Sequence, residues 1–388
     1  MYINIYFYIS NKYYKILRIA FGSSGCVFSP ALGENKSSNN VSKLMRNREA
    51  IKEYENIIHV RSKLVEISDF EDYFILDVTK IKPQPLTTQE LEEFSKCKSL
   101  FANIDINEKI DEFTVINMLN GGLSIDDYIY NEGSFQKIYD VHLGLFRLLV
   151  KGIIPMNQLN FFHCDIKDSN VLIDSEKKVR LIDWGLYTEY VPGGFPQTWR
   201  NRPLQFNVPF SVILFTDSFI KKYAKIQKEE EHIKPFITEY VKSSMEGHYD
   251  YICEIMKLLF LNSGQLTEPQ TMEYIVNYIV KILVHFKEDW FREYLDNVFT
   301  RTVDIWGLIL AYYPILEVLS NNYSKLSKIE MKIFNQLQFI FVEYLYEPDK
   351  PYEPIDMDTL FLDLDILGKL IHIKLNGSVT TYKSPFLI

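Results

Sequence analysis

The sequence predicts an α+β chain of two lobes, a small sheet-rich one followed by a larger helical one. Three observations predict it. Aromatic and β-branched runs, bounded by glycine and polar turns, crowd the stretch before Gly121-Gly122. Beyond those glycines the pattern changes to long apolar segments with helical spacing and few glycines or prolines. The 388 residues also exceed a single ordinary domain of about 100–200 residues. The lobes are expected over 1–119 and 120–388, with a helical insertion at about 211–301.

The elements follow in order. Tyr2–Tyr8 and Tyr13–Ile19 read as strands, and Cys26–Phe28 opens the next one after a glycine turn. Leu32–Asn40 is a polar loop, and Val41–Met45 is a short strand. Asn47 caps a helix over Arg48–Leu64, where Ala50, Tyr54, Ile57 and Ile58 recur at helical spacing. Asp72–Val78 and Phe113–Met118 are further strands. Val141–Ile154 is a long apolar helix. Helices are then expected over Asp217–Lys225, Ile233–Met245, Tyr249–Leu261, Thr271–Phe286, Trp290–Val298, Val303–Leu319 and Ile329–Glu343.

Composition excludes several classes. With 47% hydrophobic and 24% charged residues, the chain buries enough apolar surface to offset its entropy, so a disordered chain is excluded. A net charge of −9 gives no overall basic field, and neither nucleic acid nor an anionic membrane is expected as a partner. Cys26, Cys97, Cys164 and Cys253 lie far apart with no C-x-x-C pair. Free thiols in a reducing, cytoplasmic compartment are expected, and neither a zinc site nor a disulfide framework. Gly307–Leu319 is apolar but shorter than the roughly 20 residues of a membrane span. The apolar N-terminus lacks a basic region and a cleavage site, so it reads as a strand and not a secretory signal.

The strongest chemical signal is His163-Cys164-Asp165-Ile166-Lys167-Asp168-Ser169-Asn170, followed by the strands Val171–Ile173 and Val179–Ile182 and then Asp183-Trp184-Gly185. A hairpin over the two strands brings Asn170 and Asp183 together at its open end. An amide oxygen and a carboxylate there suit a hard cation such as Mg²⁺. Asp165, five residues before Asn170, is placed to accept a proton from a hydroxyl. Lys167 can neutralise charge on a transferred phosphoryl group. Earlier in the chain, Gly22 and Gly25 let a strand–turn–strand backbone approach phosphate oxygens. Lys43 sits in an apolar strand, where a lysine needs a partner. Glu53 on the following helix is the preferred partner, with Glu49 and Glu55 as alternatives.

This block resembles the catalytic loop H-R-D-x-K-x-x-N and metal loop D-F-G of eukaryotic-type serine/threonine protein kinases. Ala20-Phe21-Gly22-Ser23-Ser24-Gly25-Cys26-Val27 is similar to their glycine-rich loop, with Ala20 in place of the first glycine. The form of Arg202–Ser211 and Phe28-Ser29-Pro30 looks like divergent kinases encoded by large DNA viruses. That origin would place the protein in a host cytoplasm or a virion. The resemblance implies a bilobal protein-kinase-like fold and ATP- and Mg²⁺- or Mn²⁺-dependent phosphorylation of protein serine or threonine. It implies Asp165 and Lys167 as catalytic, and Asn170 and Asp183 as metal ligands. Lys43 with Glu53 would hold the α/β-phosphates. Ile116 would be the gatekeeper, and the backbone of Asn117–Leu119 would pair with adenine. Val27, Val41 and Leu172 would sandwich the ring. Asp304 would anchor the catalytic loop. Cys164 stands where the family has an arginine that reads activation-loop phosphate, so activity independent of that phosphorylation is expected. Two alternatives remain: a small-molecule kinase of the aminoglycoside or choline type, and a pseudokinase scaffold. Ile182-Asp183-Trp184 favours the former, while Lys167 and Gly185 count against it.

Overall fold

The computed structural model describes residues 21–384, apart from 23, 24, 34–38, 98–100, 102, 103, 132, 133, 246, 262–265, 288, 289 and 348. The strands expected over Tyr2–Tyr8 and Tyr13–Ile19, and Ala20, lie outside these residues. The chain divides into two compact units. Among the described residues, one holds those up to 58 together with 77–120, and the other holds 59–76 and those from 121 onward. Residues 59–76, expected in the first lobe, therefore pack with the second unit.

The first unit is built on a five-stranded antiparallel sheet in the order β1-β2-β3-β5-β4. These strands are β1 (Phe21–Gly22), β2 (Gly25–Phe28), β3 (Asn40–Arg46), β4 (Val78–Ile81) and β5 (Phe113–Leu119). Helix α1 (Asn47–Leu64) follows β3 directly and buries Ala50 and Ile57. The strand expected over Asp72–Val78 is divided instead. Phe74 bridges to Leu181, and β4 begins only at Val78. Helix α2 (Thr88–Ser95) was not anticipated, although its capping box of Thr87 and Glu90 is legible in the sequence. Its Phe94 joins Phe28, Leu44, Phe101, Phe113 and Val115 in the core of this unit.

That packing also corrects the expectation of four free thiols. Cys26 on β2 and Cys97, just past α2, are both buried in this core and form a disulfide. Cys164 and Cys253 are free and buried.

The second unit opens with β6 (Leu123–Ser124), α3 (Ile125–Tyr130) and α4 (Phe135–Leu148). The helix expected over Val141–Ile154 is interrupted by a π-turn at Leu149–Ile153 and resumes as α5 (Ile154–Gln158) with Pro155 in its first turn. Short strands follow: β7 (Phe161–Phe162), β8 (Val171–Ile173), β9 (Val179–Leu181) and β10 (Thr188–Glu189). They form a β6-β8-β9 sheet and a β7-β10 pair.

The region 211–301 carries α6 (Asp217–Tyr223), α7 (Glu230–Ser243), α8 (Tyr249–Leu259), α9 (Glu268–Phe286) and α10 (Trp290–Tyr294). The single helix expected over Val303–Leu319 is two: α11 (Thr300–Leu310) and α12 (Tyr313–Asn321). Pro314 explains the break, because it has no N–H to continue the α11 ladder but suits a first turn. The apolar stretch Trp290–Asn321 has the length and composition of a membrane span, yet 89% of its most apolar window is buried within the protein. It is the core. Two further helices close the chain, α13 (Lys328–Leu345) and α14 (Met357–Asn376). Apart from the segment matched to strands and turns above, this unit is predominantly helical, and the architecture is the α+β protein-kinase-like fold.

Candidate active site

In the first unit, ladder register decides which side chains share a face. Lys43 on β3 lies opposite Val27 on β2 and Ile116 on β5. Directly opposed residues point to the same side of a sheet, as do residues two apart, so Val27, Val41, Lys43 and Ile116 line one face. Lys43 Nζ donates to both carboxylate oxygens of Glu53 at 2.7 Å. The lysine is only 14% exposed, so this pair supplies the charge partner that a lysine among apolar neighbours requires. Glu49 and Glu55 are exposed.

Asn117 lies opposite Ser42, and its side-chain oxygen accepts from the Ser42 hydroxyl. Leu119 ends β5 and is exposed. Gly22 pairs with Gly25 across the β1–β2 ladder. A Cβ on Gly25 would stand 2.6 Å from Met45 Cγ and 2.9 Å from the Leu44 carbonyl oxygen, so β2 and β3 meet too closely for any side chain there.

In the second unit, the loop Phe162–Asn170 is fixed from below by α11. Asp304, fully buried, accepts from the backbone N–H of His163 at 2.9 Å and of Cys164 at 2.8 Å. These bonds hold Cys164 at φ 60°, a left-handed conformation uncommon for a residue other than glycine. Gly307, one turn along α11, lets the helix approach, because a Cβ there would stand 2.6 Å from the Ile166 carbonyl oxygen. His163 Nδ1 faces the Asp165 N–H at 3.3 Å, which directs the Nε2 hydrogen to the Ile182 carbonyl at 3.0 Å. Trp184 packs against His163 and, edge-on, against Phe74.

The Asp165 carboxylate is nearly buried and fully engaged. Oδ2 accepts from Lys167 Nζ and from Asn170 Nδ2, both at 3.0 Å. Oδ1 accepts from Asn207 Nδ2 at 2.8 Å. Burial alone would raise its pKa, but the Lys167 charge and the hydrogen bonds from Asn207 and Lys167 outweigh it, leaving the carboxyl below its ordinary value. Asp165 is thus ionised at neutral pH and aimed by three donors.

Asn170 and Asp183 are brought together by the hairpin. Val171 pairs with Leu181, and the Ile182 N–H donates to the Asn170 carbonyl at 3.0 Å, so Asp183 begins one residue beyond the ladder. Asn170 Nδ2 is committed to the Asp165 backbone and carboxylate oxygens, which turns its Oδ1 to the other side. Asp183 sits at φ 65° with an exposed carboxylate that accepts from the Gly185 N–H at 3.4 Å. An amide oxygen and an exposed carboxylate fit a hard divalent ion that keeps waters and takes its remaining oxygens from a phosphate ligand. Leu172 lies on β8 opposite Arg180.

Two groups around this loop were not singled out from the sequence. Asn207 is buried, and it also reaches the Ile166 carbonyl at 3.3 Å. Arg202 donates to the Cys164 carbonyl at 2.9 Å. Both lie in the segment Arg202–Ser211, whose divergent form was the only signal. The Cys164 side chain accepts from Trp199 Nε1 at 3.1 Å, and burial pushes its thiol up to about 12.

Part of the chain is similar to known proteins. Residues 75–201 match the protein kinase domain family. Over 95 residues the chain is 30% identical to sperm motility kinase 2B of Mus musculus, covering 24% of this chain and 19% of that protein. Over 88 residues it is 30% identical to SNF1-related protein kinase catalytic subunit alpha KIN12 of Arabidopsis thaliana, covering 23% of this chain and 17% of the relative. The chain therefore spans less than a fifth of each of these relatives.

Proposed function

We propose that the protein is an ATP-dependent protein kinase that phosphorylates serine or threonine. The observation that carries this reading is the Asp165 carboxylate held by Lys167, Asn170 and Asn207, at the open end of the hairpin that precedes Asp183. Asp165 orients the acceptor hydroxyl and takes its proton as the oxygen bonds to the γ-phosphorus. The bond from that phosphorus to the β–γ bridging oxygen breaks, and ADP leaves. Lys167 balances charge on the γ-phosphoryl oxygens. Lys43, fixed by Glu53, contacts the α/β-phosphates. Asn170 Oδ1 and Asp183 are the groups that would hold Mg²⁺ or Mn²⁺, whose chemistry there is to neutralise phosphate charge. Val27, Val41 and Ile116, which share one face of the first unit's sheet, supply apolar contact for adenine, and the backbone of Asn117–Leu119 supplies its hydrogen bonds. Catalysis of this kind is positioning plus electrostatics.

Serine/threonine preference is supported by Lys167 two residues after Asp165. The test is transfer of radiolabelled phosphate from ATP to a protein acceptor and to hydroxylated small molecules. We expect label on protein serine or threonine, and a loss of about 10²–10⁴-fold in Asp165→Ala and in Asp183→Ala. Equal incorporation in wild type and both variants would end the enzymatic reading. Label on small molecules alone would make it a small-molecule kinase, and ATP binding without turnover a scaffold.

A further inference from the structure

The chain carries a net charge of −9, yet one patch of the second unit is locally reversed. Lys221 and Lys222 lie on α6, and Lys225 lies one turn further on. All three are exposed, and with Ser218, Ile226 and Phe236 they line a surface cavity of about 480 Å³. Among the described residues none of the three forms an ion pair, whereas Asp217 on the same helix faces Arg200 and Lys228 is spent on the carbonyls of Tyr223 and Ile226. The floor is apolar and fixed. Phe236 on α7 stacks with Tyr223 and Tyr240, and Ile226 beside it is half-buried.

Three exposed cations that form no ion pair among the described residues, around an apolar floor, complement an anionic chain that also carries an apolar side chain. A polyphosphate backbone would use the charges and leave Phe236 and Ile226 without a partner. We propose that this cavity docks an acidic segment of the protein substrate, with carboxylates on Lys221, Lys222 and Lys225 and one apolar residue against Phe236. The proposal rests on the kinase reading only in naming the partner as a substrate. Contacts of this type raise encounter rate and local concentration and weaken with salt.

The experiment uses the full chain and a labelled peptide of aspartates around a central leucine, followed by fluorescence anisotropy. Binding is expected, and it should weaken at least about 10-fold in Lys221→Glu/Lys222→Glu/Lys225→Glu and by several-fold between about 50 and 200 mM salt. The milder Lys221→Gln/Lys222→Gln/Lys225→Gln variant, with an unchanged melting temperature, should lie between the two. A peptide of lysines around leucine should not bind. Transfer to a short acceptor without the acidic segment should be the same in all variants. With the segment appended, KM should rise in the variants while kcat holds. Equal peptide affinity in wild type and variants overturns the proposal. So does lysine-dependent binding of single-stranded DNA or anionic vesicles with no binding of the acidic peptide. Absence of transfer in wild type would remove the kinase reading while leaving the anisotropy result to decide the cavity.

Discussion

Asp165 owes its ionised state to three groups from two stretches of chain: Lys167 and Asn170 close by, and Asn207 42 residues on. Asn207→Ala deletes one donor and leaves Oδ1 without its bond. The carboxyl should then titrate higher, moving the acid limb of the pH–rate profile upward, with kcat down about 10-fold and KM for ATP unchanged. Steady-state kinetics across pH checks this, and an unmoved acid limb would assign Asn207 a purely structural role. Asp168 behaves oppositely. Burial, and then the neighbouring Asp126 carboxylate, push its pKa up to about 7. A carboxyl raised in the folded state contributes stability that is complete below the ordinary carboxyl pKa and is lost as pH rises through 7. Asp168→Asn removes that loss. Relative to wild type, the variant should gain on the order of 1–2 kcal/mol at pH 8 and nothing near pH 4, read from melting curves at both values.

The difference in legibility between these residues is physical. His163 to Gly185 was readable because its polar groups sit at fixed short offsets, and a hairpin needs no distant information to close. Asn207 reaches Asp165 only because the fold returns there, so nothing adjacent to it in the sequence announces the contact.

At the scale of elements the same distinction holds. The strands β3 and β5 and the helix α1 were legible from alternation and from the 3.6-residue period. Helix α14 was not. It buries Leu360, Leu364, Leu367 and Ile371 but leaves Leu362 and Ile366 exposed, so apolar residues on both faces blur its period. The disulfide was hidden for a further reason: its partners are 71 residues apart and meet only when α2 packs beneath the sheet. The paired substitution Cys26→Ser/Cys97→Ser should lower the stability of the first unit by about 2–4 kcal/mol. Thermal melting measures the loss, and thiol titration of the denatured wild type should find two reactive groups before reduction and four after.

For the whole molecule, the stretch that follows Asp183 is tied down by side chains already present. Cys164 replaces the arginine expected beside Asp165, and its thiol is buried under Trp199. Glu189 on β10 already accepts from Lys63 at 2.7 Å and faces His59 at 3.3 Å, so a built-in carboxylate meets those basic groups. Phosphatase treatment should therefore change the transfer rate by less than about twofold. A loss of tenfold or more would show that a phosphorylated residue is required.

The anchors of the loop have a consequence for any shortened form of the chain. Asp304 lies 141 residues beyond the His163 amide it binds, and Asn207 also falls past residue 201, where the recognisable kinase stretch ends. A product truncated at that point would retain every signature letter and lose both tethers. It would pass inspection as an enzyme on paper, and in solution it would be a slack, unaimed loop.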